Sequence, residues 1–96
     1  MSRPIRFKFR LYVVDDTVNS TLALANLTAV CEAYLPGRHH IEAVDLFREP
    51  ERALADGVLM TPTLIVLSPP PVRTIVGTLT KTAELLRILG LEVRAA

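Results

Sequence analysis

Tryptophan is absent and cysteine occurs once, and each shortage closes off a class of structure or chemistry. A lone Cys31 cannot form an internal disulfide, which fits a reducing compartment and excludes a cysteine redox pair within one chain. With aromatics at only 5 % of residues, the core has to be aliphatic. The four glycines stand apart, so no Gly-rich loop is present to cradle a phosphate. No apolar run approaches the length of a membrane span, and Met1-Ser2-Arg3-Pro4 leads into alternating charge instead of a signal-peptide core. The expectation is a cytoplasmic protein without membrane attachment. Neither sign of charge dominates: 11 basic and 10 acidic residues give a net charge of +1, which supplies no argument for nucleic acid. Half of the 96 residues are hydrophobic, enough for one domain over residues 1–96 with a modest core.

Against these absences, the strongest positive signal is Val58-Leu59-Met60-Thr61-Pro62-Thr63-Leu64-Ile65-Val66-Leu67, closed by Ser68-Pro69-Pro70-Pro71. Proline cannot donate to a sheet ladder and is confined to strand starts, edges or bulges. Pro62 therefore reads as the first residue of a strand from Thr63 to Leu67. That strand is apolar on both faces, as suits a parallel or central strand covered by helices.

The remaining elements follow from periodicity and punctuation. Ile5 to Val14 alternates, with Ile5, Phe7, Phe9, Leu11 and Val13 on one face. Arg6, Lys8 and Arg10 line the other face until Tyr12 and Val14 turn it apolar, so a two-sided core begins only in the second half. The basic row could meet an acidic partner; a solvated strand face is the preferred reading. The polar turn from Asp15 to Ser20 is rich in N-cap candidates, and a helix follows from about Ser20 to Leu35. Leu24, Leu27, Cys31 and Tyr34 or Leu35 make its stripe, widened by Ala23, Val30 and Ala33. Cys31 within that stripe reads as a small core residue. Ser20, lacking an evident His base, reads as a cap and not a nucleophile. Pro36-Gly37 ends the helix.

His39-His40 precede a strand from Ile41 to Leu46. Neighbouring strand residues point to opposite faces, and no acid or Cys completes a ligand set, so no metal is expected. A short helix runs from Pro50 to about Asp56, with Pro50 at its first position and Gly57 as its C-terminal cap. Val72 to Gly77 forms a strand joined so closely to the preceding one that the pair is antiparallel. Thr80 can cap a last helix, Lys81 to about Leu91, with Leu85, Leu86 and Leu89 as its stripe. Gly90 lies late in it, as a cap or as a weak point.

The order is thus β-α-β-α-β-β-α. Two right-handed βαβ crossovers followed by a hairpin and a helix predict a four-stranded mixed sheet with helices on both faces. This resembles the thioredoxin arrangement, which implies a cis-proline at Pro62. A thioredoxin-like redox enzyme would carry its nucleophile where the first strand meets the first helix. Asp16-Thr17-Val18-Asn19-Ser20 stands there instead. No catalytic set and no cofactor site are expected, which points to a binding module; the alternative is a thioredoxin-like redox enzyme or transferase using Cys31.

Several stretches resemble the KaiB family of circadian clock proteins: Leu11-Tyr12-Val13, Thr17 with Asn19-Ser20, Val44-Asp45-Leu46, Pro50, Thr61-Pro62-Thr63-Leu64, and Pro69-Pro70-Pro71-Val72-Arg73 leading to Ile75, Gly77 and Leu79. The resemblance implies a non-enzymatic regulator that binds a KaiC-like ATPase and modulates its phosphorylation cycle, with a KaiA-like protein or a sensor kinase as further partners. It also implies two folds. One is thioredoxin-like; the other is a tetramer of β-α-β-β-α-α-β order, so that a homo-oligomer, dimer or tetramer, is in view. Pro62, Pro69, Pro70 and Pro71 would mark the borders of the segment that switches. Arg52 and Asp56 on the second helix and Arg73 on the hairpin, exposed by pattern, are the expected partner contacts.

Overall fold

The alternation at the start of the chain becomes a central strand. The computed structural model describes residues 6–91, so the expected participation of Ile5 lies outside the described residues. In β1 (Phe7–Val13), Phe7, Phe9, Leu11 and Val13 are all buried on one face, while Tyr12 is buried on the other. There follow α1 (Val18–Tyr34), β2 (His39–Asp45), α2 (Pro50–Ala55), β3 (Thr63–Ser68), β4 (Arg73–Val76) and α3 (Thr82–Ile88). The strands lie in the order β2-β1-β3-β4. β1 and β2 are parallel, with Arg10 beside Glu42 and Tyr12 beside Val44. β3 runs antiparallel to β1, and β4 antiparallel to β3.

This is the mixed four-stranded sheet expected, with one correction. Only β1-α1-β2 is a parallel crossover; the connection through α2 delivers an antiparallel strand. The connection does not run back along the sheet: α2 rises only about 9 Å, the chain turns at Gly57 with Val58 N–H bonded to the Ala53 carbonyl, and β3 begins beside the end of β1, with Thr63 opposite Tyr12. The peptide bonds Thr61–Pro62, Ser68–Pro69 and Pro70–Pro71 are cis.

Two cores result. The larger packs Phe9, Leu11, Leu64 and Val66 of the sheet against Leu27 and Cys31 of α1 and Leu85, Leu86 and Leu89 at α3. The smaller joins Tyr12, Val44 and Ile65 to Ala53 and Val58 on the α2 side. α1 keeps most of its expected stripe, with Ala23, Leu27, Val30, Cys31 and the following Leu35 buried; Leu24 and Ala33 are exposed instead, and Ser20 is buried. Apolar residues occur on its outer side too, with Val18, Leu22 and Leu24 exposed and Glu32 its one charged residue, so periodicity alone could not fix the margins of the inner face.

The helix ends also revise the sequence reading. α1 begins at Val18 with Thr17 as N-cap, so Ser20 does not cap it; the Ser20 hydroxyl instead accepts the Val14 N–H at 3.0 Å. Thr80 does not cap α3, whose N-cap is Lys81 without a side-chain bond. Gly90, on the other hand, adopts φ +75° just beyond the helix, and the Leu91 N–H reaches the Leu86 carbonyl at 2.8 Å. This closing pattern needs a left-handed residue, which glycine adopts without steric cost. Gly90 is a cap, not a weak point. Gly57 does the same for α2, with Val58 N–H bonded to the Ala53 carbonyl.

Candidate partner-binding surface

β1 brings Arg10 and Tyr12 to the α2 side of the sheet, and the parallel register sets Glu42 of β2 next to Arg10. Above them lie Arg52 of α2 and Asp56 at its C-terminal cap. The five side chains form one connected network. Arg10 Nε contacts Glu42 Oε1 and its Nη1 contacts Asp56 Oδ2, both at 3.0 Å. Tyr12 donates its hydroxyl to the same Asp56 oxygen at 2.5 Å. Arg52 Nη2 meets Glu42 Oε1 at 2.8 Å, and its Nη1 reaches Glu49 at 3.3 Å.

The electrostatics follow from these contacts. Glu42, accepting from Arg52 and then Arg10, is held down at about 2. Asp56 is lowered, first by the Tyr12 hydrogen bond and, against the opposing effect of burial, by Arg10. Tyr12 moves up to about 12, chiefly through desolvation and then through its bond to Asp56. Arg10 and Arg52 are both raised by hydrogen bonds to their acid partners. All four charges therefore persist across the neutral range, in a polar patch whose geometry is fixed from below by a buried phenol.

Of the sequence candidates, Arg52 and Asp56 are brought together here, joined through Arg10 and Glu42. Arg52 is half-buried, not freely exposed. Arg73 lies elsewhere and is also half-buried. Its guanidinium donates to the backbone carbonyls of Pro71 at 3.1 Å, Pro69 at 3.3 Å and Ile88. It ties the proline turn to the end of α3, where a cation also complements the helix dipole. Sequence reasoning weighed Arg10 only within a basic row and preferred a solvated strand face, whereas Arg10 is half-buried and paired with Glu42 and Asp56; it passed over Tyr12 and Glu42. The signal was there in the switch from basic to apolar between Arg10 and Tyr12, but pairing it with Glu42 required the β1–β2 register.

At the β1–α1 junction, Val14, Asp15, Asp16, Ser20, Thr21 and Leu24 line a shallow depression that contains no thiol. Cys31 is fully buried, and desolvation followed by the charge of Glu32 pushes its thiol up to about 11. His39 is turned toward the Leu35 carbonyl, its Nδ1 at 2.7 Å, away from the exposed His40. Among the described residues no cluster of three or more His, Cys, Asp or Glu could hold a metal, and no helix is long and apolar enough to cross a membrane.

Comparison with known proteins assigns the family. Residues 10–91 match the family described as KaiB domain. The chain belongs to the KaiB family. The circadian clock protein KaiB3 of Synechocystis sp. is 35 % identical over 88 residues, covering 92 % of this chain and 84 % of that relative. The circadian clock oscillator protein KaiB of Thermostichus vulcanus is 36 % identical over 92 residues, covering 94 % and 83 %. Among solved structures, the N-terminal domain of Synechococcus elongatus SasA superposes with a TM-score of 0.74 at 14 % identity, over 99 % of this chain and 94 % of that one. Chloroplastic thioredoxin z superposes at 0.73 with 17 % identity, over 88 % and 76 %. At such identities the structural likeness bears on the fold, which is thioredoxin-like. The strand-strand-helix order of the C-terminal half is the thioredoxin-like arrangement and not the β-α-β-β-α-α-β alternative.

Proposed function

We propose that this protein is a clock-type regulatory module that binds a KaiC-like ATPase in the cytoplasm and modulates its phosphorylation or ATPase cycle. Membership of the KaiB family across residues 10–91 carries the reading. We assign the contact to the α2 side, with Arg52 and Asp56 presented by the ion network and Arg73 acting indirectly, by holding the proline turn against α3. The test is co-sedimentation with a KaiC-like ATPase in its ATP-bound and ADP-bound states. Binding in at least one state is expected, and Arg52→Glu should weaken it by about tenfold or more, since reversing a charge turns attraction into repulsion. Absence of binding in every nucleotide state would defeat the proposal. The thiol-enzyme alternative needs a reactive Cys31, and the buried, raised thiol argues against it.

We extend the proposal to exchange with the second KaiB arrangement, bordered by Pro62 and by Pro69, Pro70 and Pro71. In it the segment around β4 would be helical and the last segment a strand. KaiA-like proteins and sensor kinases are proposed as further partners of the same module.

A further inference from the structure

The face of the sheet that carries α2 is covered at one end only. α2, six residues long, lies over Tyr12, Val44 and Ile65, where Ala53 and Val58 complete the smaller core. Toward the start of β1 the same face is open. Lys8 stands beside His40 of β2 and opposite Ser68 of β3, and alternation puts Arg6 on the same side. Arg6, Lys8 and His40 are all exposed. Neither Arg6 nor Lys8 forms an ion pair among the described residues. The next carboxylate along β2, Glu42, is already held by Arg10 and Arg52. Leu67 lies half-buried at the margin of the smaller core, and one strand further out Val72, just before β4, is 62 % exposed. A face that served solubility alone would be polar throughout, whereas this one sets uncompensated cations beside uncovered aliphatic surface.

We propose that this open half-face docks an acidic amphipathic helix of a partner protein. The charge complement is carboxylate, since Arg6 and Lys8 have none of their own. The occupant is a helix because a sheet face, unlike a sheet edge, offers no free ladder groups, and a helix satisfies its own backbone. The spacing agrees. Arg6 and Lys8 are two residues apart on an extended chain, a step of about 6.6 Å, and positions i and i+4 of a helix advance by about 6 Å. Glutamate or aspartate at those helix positions meets both cations in turn, and an apolar row one residue further round lies over Leu67. Such a helix supplies the second layer that α2 leaves incomplete. The open end carries no exposed aromatic ring on which bases could stack, which favours a protein over a nucleic acid. Its charges sit at the solvent rim, so the association is modest and weakens with salt. This docking concerns the part of the sheet beyond α2 and stands apart from the ATPase reading.

Fluorescence anisotropy with the full chain tests it. The probe is a labelled, alanine-based peptide of about 18 residues, long enough to be helical. It carries glutamates at i, i+4 and i+8 and leucines at i+1, i+5 and i+9. It should bind, and bind more weakly as salt rises from about 0.01 M to about 0.1 M, which shortens the Debye length from about 30 Å to about 10 Å. Lys8→Glu should weaken binding by about tenfold or more, and Lys8→Gln by less. Lys81→Glu, an equal change of net charge at the start of α3 on the opposite face, should leave it unchanged. Peptide-induced NMR shifts should centre on Arg6, Lys8, His40 and Leu67. A peptide that fails to bind overturns the proposal, as does one that Lys81→Glu weakens as much as Lys8→Glu. Shifts confined to α2, or an oligothymidylate that binds where the peptide does not, overturn it too.

Discussion

Tyr12 shows how much a single residue can connect. It is fully buried, pairs beside Val44, fills the smaller core, and donates to Asp56 at 2.5 Å. Tyr12→Phe keeps the packing and removes the donor, leaving Asp56 with Arg10. Hydrogen bonds to charged groups contribute about 1.5–3 kcal/mol, and a loss at the lower end of that range is expected in urea denaturation. Leu27→Ala, in the larger core, should cost about 2–5 kcal/mol because the cavity it leaves adds to the lost transfer free energy. At the same scale, Cys31 should alkylate slowly in the native protein at mildly alkaline pH and rapidly once unfolded. Rapid native alkylation would restore the thiol-enzyme reading. The buried placement of Cys31 was legible from its apolar neighbours, since free cysteine behaves as a small hydrophobe. The role of Tyr12 was only half legible: its burial follows from alternation, but its partner is 44 residues away.

At the scale of elements, the α2 network makes stability depend on pH. The folded-state value of Glu42, about 2, lies below its ordinary 4.5. The stability it contributes is therefore fully present above 4.5 and is lost as pH falls toward 2, with Asp56 adding in the same direction. Partial exposure lets solvent screen the pairs, which trims the effect. Acid titration of the wild type should show stability falling through this window, and Glu42→Gln should flatten the slope while lowering stability at neutral pH. Arg73 is the corresponding link on the other side. Arg73→Ala should raise amide exchange selectively in α3 and the proline turn, while Arg73→Lys, a point charge without the planar fork, should rescue it only in part. The existence of every element could be read from the sequence. Helix starts could not, because Thr17, Asn19 and Ser20 all suit a cap and the geometry chose Thr17 without using its side chain for it. Nor was the direction of β3 legible from the βαβ pattern, since it depends on which end of β1 the chain meets, and only the register shows Thr63 opposite Tyr12.

For the whole molecule, the open question is whether its C-terminal half has a second arrangement, and Gly90 offers a way to ask it. In the thioredoxin-like fold Gly90 sits at φ +75° and closes α3. No heavy atom lies within 4 Å of where its Cβ would be, so the penalty for Gly90→Ala is purely one of backbone conformation, about 1–2 kcal/mol. A β-strand at the same place would have extended backbone and suffer no such penalty. The substitution therefore destabilises one arrangement and spares the other. If the two exchange, a second set of NMR peaks across residues 63–91, with helical shifts replacing strand shifts at β4, should grow by roughly fivefold or more relative to wild type. The expected outcome is that growth. A Gly90→Ala protein that unfolds more easily yet keeps a single peak set with strand shifts from Arg73 to Val76 would show that the sequence specifies the thioredoxin-like fold alone.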